Sequence, residues 1–118
     1  MALLNKMADG NRMGTDMSDN QAVATVQVDN EHLRVTEWRF APGAATGYHR
    51  HAYDYVVVPV LDGELELIDP DGGRSHARLE QGKSYRRNAG VEHDVVNAGA
   101  GVMTFVEIEL KGTGATER

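Results

Sequence analysis

Turn chemistry interrupts this chain roughly every 8–12 residues across its middle, and that spacing favours an all-β sandwich or barrel. The apolar runs between the breaks are short and rich in Val, Leu, Thr and Tyr. Candidate strands are Ala22–Val28, Leu33–Phe40, Thr46–His51, Tyr53–Leu61, Glu64–Ile68, Ser75–Glu80, Lys83–Asn88, His93–Asn97 and Val102–Leu110. Asp62-Gly63 resembles a tight hairpin, Asp69-Pro70-Asp71-Gly72-Gly73 is strong turn chemistry, and Pro42-Gly43 closes another strand. No convincing helix is left over, and there is no internal repeat.

A chain of 118 residues has room for one such domain around one core. The expected barrel covers residues 21–111. Residues 1–20, with Met1, Met7, Met13 and Met17 among Asn, Asp and Gly, lack a hydrophobic period and read as a disordered or appended tail. Residues 112–118 read as a second loose end. No run of about 18 apolar residues is present, so no membrane span is expected. Met1 to Asn20 also lacks the apolar centre of a signal peptide, which points to the cytoplasm. With no cysteine, disulfides, thiolate metal sites and cysteine nucleophiles are excluded together. A net charge of −6 disfavours nucleic acid as a partner. It leaves room for a small anionic substrate held by one local arginine.

His49 and His51 stand two apart, so on a strand both imidazoles leave the same face and can share a metal ion. An isolated His-x-His is more often a pair of surface side chains. The surrounding pattern changes that balance. The segment from Gly43 through His49 and His51 to Val56 and Gly63 resembles the first cupin motif: glycine, five residues, His-x-His, three or four residues, glutamate, six residues, glycine. The segment Gly82, Asn88, Gly90, His93, Asn97 resembles the second, with proline expected where Asn88 stands. The stretches RVTEWRFAPGAATGYHRH, YDYVVVPVLDGEL, GVEHDVVN and FVEIEL are similar to small stand-alone bacterial cupins named for β-alanine degradation.

The resemblance implies a cupin double-stranded β-helix, a jelly-roll barrel, with one divalent metal ion held by His49, His51 and His93. It implies turn roles for Gly63, Gly82 and Gly90, and a bracing role for Asn97. It also implies a homodimer. The ligand glutamate is missing: Val56 holds its position under the four-residue spacing and Tyr55 under the three-residue one. Asp54 is the nearest carboxylate, and Tyr53 and Tyr55 are the nearest phenols, so these three are candidates for a fourth ligand or for a supporting contact. If Asp54 points inward, it does so with Val56, Val58 and Val60; the blander alternative is that it faces solvent at the barrel rim. Imidazole suits Fe, Ni, Cu and Zn alike, so the ligands do not name the metal, which is expected to be Fe, Mn, Ni or Zn.

Arg39, Arg86 and Arg87 are candidates to clamp a substrate carboxylate, since guanidinium matches that group bidentately. A solvated arginine on a strand face is the blander alternative for each. Glu37 and Glu107 are candidate general bases if they face inward. Trp38, Phe40, Tyr48 and Phe105 are expected to fill the core, and His32 and His76 to lie on the surface. No Walker loop, dinucleotide fingerprint or Ser-His-Asp arrangement occurs. Three functions are compatible with these residues: a dioxygenase-like metalloenzyme acting on a small organic acid or amino-acid-derived metabolite, a metal-dependent lyase, isomerase or hydrolase, and a non-enzymatic small-molecule sensor.

Overall fold

The structure is a computed structural model and describes residues 20–112. The expected tails, 1–20 and 112–118, lie outside it apart from Asn20 and Gly112. Among the described residues every regular element is a strand: β1 (Val23–Asp29), β2 (Leu33–Phe40), β3 (His49–Arg50), β4 (Asp54–Pro59), β5 (Gly63–Ile68), β6 (Arg74–Leu79), β7 (Tyr85–Arg87), β8 (Glu92–Asn97) and β9 (Met103–Leu110). Each expected strand has its counterpart. The largest shortfall is β3, reduced to two residues because Gly47 turns the chain at a φ of 88° just before it.

Two antiparallel sheets form a jelly roll, one in the order β1-β2-β9-β4-β7 and the other β3-β8-β5-β6. Phe40, Ala44, Tyr55, Val57, Leu65, Leu79, Val95, Met103 and Phe105 make the core, drawn from both sheets. Asn97 braces the apolar end. Its amide donates to the carbonyls of Gly101 at 2.8 Å and of Phe40 and Ala41 at 3.3 Å, and its oxygen accepts the Gly99 N–H at 2.9 Å. Gly82 and Gly90 have φ of 78° and 96°, as their turn roles require. Gly63 does not. It opens β5 beneath Met103, where a Cβ would come 2.5 Å from the sulfur, so close packing is what demands glycine there.

The phase of β4 differs from the expectation. Tyr55, Val57 and Pro59 are buried, whereas Asp54, Val56 and Val58 are half-buried on the other face. The run Val56-Val57-Val58 is apolar on both faces, so it carries no period-2 signal to set the pleat. Register then builds rows across the inner face of the larger sheet, because cross-strand partners share a face. One row is Arg34, Glu109, Tyr55, Arg87 and the next is Thr36, Glu107, Val57, Tyr85. Below them lie Trp38, Phe105 and Pro59, then Phe40 and Met103. This face therefore grades from wholly apolar at one end to charged at the other.

Candidate metal centre

The three motif histidines meet at the charged end. His49 and His93 are register partners of β3 and β8 and so project side by side from the smaller sheet. His51 lies just past β3 and is tied at both backbone groups: its N–H donates to Val91 O at 2.9 Å and its carbonyl accepts the Gly90 N–H at 2.8 Å. The positive φ of Gly90 permits this clasp. The Nε2 atoms of His49 and His51 are 3.1 Å apart, as are those of His51 and His93.

This donor set fits a divalent ion. Nitrogens bound at the roughly 2.0–2.1 Å of a zinc–imidazole bond lie about 2.9–3.4 Å from each other, for right-angled to tetrahedral geometry. The Nδ1 of His49 faces the Gly47 carbonyl at 2.8 Å. A carbonyl only accepts, so Nδ1 carries the proton and Nε2 turns a lone pair inward. Burial, with His49 and His93 beside it, pushes the pKa of His51 down to about 3; burial, then His49 and Arg87, pushes His93 down to about 4. Both rings are neutral near pH 7, the state that ligates.

Behind His51 stand two carboxylates. Nδ1 of His51 is 3.9 Å from Glu107, too long for a hydrogen bond but within ion-pairing range. Burial, reinforced by Glu109, pushes Glu107 up to about 7, against a 3.4 Å hydrogen bond from the Trp38 indole. Glu109 is held by Arg34 at 2.7 and 3.3 Å.

His49 and His93 open on a small pocket that is continuous with solvent. Its wall includes His49, His93, Tyr55, Arg87, Glu107 and Tyr85, with apolar side chains completing it. Tyr55 and Glu107 thus line the site, and Arg87 is the one of the three candidate arginines on its wall. Asp54 faces away: it accepts from Arg86 at 2.6 Å and from the Ala89 N–H at 2.7 Å, which occupies Arg86 as well. Both sit on the outer side of β4 and β7, opposite Tyr55 and Arg87. Arg39 is exposed, and Glu37 and Tyr53 are half-buried away from the cavity. Trp38 and Phe105 line the cavity as well as packing, Phe40 is pure core, and Tyr48 is exposed rather than buried. His32 and His76 are exposed, as expected. Sequence reasoning missed Tyr85 and Glu109. Each lies two residues along a strand from a candidate it did name, Arg87 and Glu107, and period 2 is the signal that could have found it.

Two antiparallel sheets around one core, with a histidine cluster suited to a metal ion at the polar end, define a small jelly-roll protein of the cupin type. Residues 36–109 match the cupin domain family, and the chain belongs to it. It is 63% identical over 91 residues to the "Beta-alanine degradation protein BauB" of Pseudomonas aeruginosa PAO1, covering 77% of this chain and 95% of that one. A cupin domain from Bordetella pertussis Tohama I is 53% identical, with a TM-score of 0.74 over 77% of this chain and 94% of the other. A double-stranded β-helix protein from Klebsiella pneumoniae shares the fold alone, at 19% identity and a TM-score of 0.65 over 89% and 95% of the two chains.

Proposed function

We propose that this cupin is a metal-dependent enzyme acting on a small organic acid or amino-acid-derived metabolite, with one divalent ion on His49, His51 and His93. The observation that carries this is the convergence of three Nε2 atoms, two of the distances being 3.1 Å, beside a solvent-connected pocket that His49 and His93 line. A relative named for β-alanine degradation supports a small acid as substrate. A bound ion would supply Lewis acidity or a site for dioxygen. Three neutral ligands leave its charge uncompensated and positions open, which favours dioxygenase-like chemistry. The neighbouring side chains hold the imidazoles in place and shield the cavity.

A second reading, a lyase, isomerase or hydrolase, is favoured by Glu107, a carboxyl on the cavity wall that could exchange a proton with substrate. Anaerobic reconstitution with Fe, Mn, Ni or Zn, followed by oxygen-uptake measurements on small acids and thiols, separates the two. Oxygen consumption with iron alone supports the first. Turnover without oxygen, with zinc or manganese, supports the second. Failure to bind any of the four ions would overturn both.

A further inference from the structure

We propose that Arg87 and the Tyr55 hydroxyl form a carboxylate-binding subsite beside the three histidines, so that the cavity selects small organic anions with a short apolar chain. This deepens the functional reading above and rests on it for the role of the histidines.

Tyr55 and Arg87 are register partners of β4 and β7, hence neighbours on the inner face, and both line the cavity. Arg87 differs from the other arginines of the described residues. Arg34, Arg50, Arg74 and Arg86 each have a carboxylate within 4.0 Å, and Arg39 and Arg78 lie exposed. Arg87 is half-buried, and no ion pair to it is found among the described residues. Glu109, in the same cross-strand row, is already engaged by Arg34. A partly buried guanidinium with no counter-ion is costly, and its planar fork matches an incoming carboxylate.

The Tyr55 hydroxyl is a second, independent sign. It is buried without a hydrogen-bond partner, a state that native interiors rarely tolerate. Arg87 and Tyr55 thus line one cavity, the first without an ion pair and the second with its hydroxyl enclosed and unbonded. The rest of the wall combines the apolar Val57, Leu65, Leu67, Val95 and Phe105, which suit a short hydrocarbon chain, with the polar Thr46, Tyr85 and Glu107. What fits is an anionic head at Arg87 and Tyr55, a few methylenes, and a reacting end toward the histidines.

The test uses the full chain, zinc-loaded and metal-free, titrated calorimetrically with propionate, 3-hydroxypropionate and the neutral propionamide. The wild type is expected to prefer the carboxylates over the amide by about tenfold or more. Arg87→Gln should abolish that preference, Arg87→Lys should restore part of it, and Tyr55→Phe should weaken it while keeping the ring. Arg86→Gln should change nothing. Zinc content is measured for every variant. No preference in the wild type, or an undiminished one in Arg87→Gln, would overturn the subsite. A preference lost in Arg87→Gln by a protein that takes up no zinc supports the subsite and removes the metal reading. Zinc uptake without any carboxylate preference does the reverse.

Discussion

The ring of Tyr55 lies flat against the imidazole of His51, with centroids 3.9 Å apart and planes inclined by 17°. Tyr55 thereby occupies the place beside the histidines where the motif calls for a glutamate, and Val56 points to the opposite face. Tyr55→Glu is therefore expected to tighten zinc binding by about tenfold, by adding a charged oxygen ligand. Val56→Glu should leave affinity unchanged. Chelator competition reads both, with circular dichroism checking the fold. Tighter binding by Val56→Glu alone would show that the strand pleats the other way.

The alternation of turns and short apolar runs made the strand order legible, and the spacing of Gly43, His49, His51, Gly82 and His93 made the histidine cluster legible. The pleat of β4 was not, because three consecutive valines erase the alternation that distinguishes inside from outside. That single ambiguity left Asp54 between an inward and an outward reading, and left Tyr55 as one candidate among three. Arg86 and Arg87 were indistinguishable for a related reason: adjacent residues on a strand face opposite sides, and only the fold decides which side is the cavity.

Replacement of His49, His51 or His93 by Ala should each remove stoichiometric metal while the far-UV spectrum stays β-rich. Elemental analysis after reconstitution checks this. His51 and His93 are buried and His49 only half so, so the first two substitutions should also lower thermal stability more. Retention of full metal content by all three variants would eliminate the proposed centre.

Stability of the metal-free chain should fall on acidification below about pH 6.5. His51 and His93 have native pKa values of about 3 and about 4, below the 6.5 of an unfolded histidine, so between these limits the unfolded chain binds two protons that the native one does not. Glu107 opposes them. Its native value of about 7 lies above the unfolded 4.5, so it contributes stability at low pH that is lost as pH rises through 7. From 6.5 down to 4.5 the two histidines outweigh the one carboxyl, and the optimum falls near pH 7. Urea midpoints of chelator-treated protein between pH 5 and 8 measure this, and a midpoint that rises steadily toward pH 5 would contradict it.

Gly63→Ala should destabilise the fold by about 1–3 kcal/mol through overpacking, because its Cβ would come 2.5 Å from the buried Met103 sulfur and force that side chain to shift. The effect should be non-additive with Met103→Ala, which empties that contact. Chemical denaturation of the two single variants and the double variant measures the coupling. Strict additivity would mean that the contact carries no strain.

The last expectation concerns assembly. All seven residues of β1 are exposed, and Val23, Val26 and Val28 retain 43–55% of their accessible surface. Among the described residues β1 pairs with β2 alone, so it forms the edge of the five-stranded sheet. Edge strands with exposed valines are ordinarily covered, charged or paired, since they otherwise template aggregation. We propose that a second copy covers β1 in a two-fold homodimer, the commonest closed assembly. Light scattering at micromolar concentration should report twice the chain mass. Removing residues 1–20 should leave that mass and the metal content unchanged, because β1 begins at Val23. Removing residues 1–29 deletes the strand and should weaken both the dimer and the β2 edge it covers. A monomer at full length would sink the proposal. A dimer that survives loss of residues 1–29 would place its interface on another face.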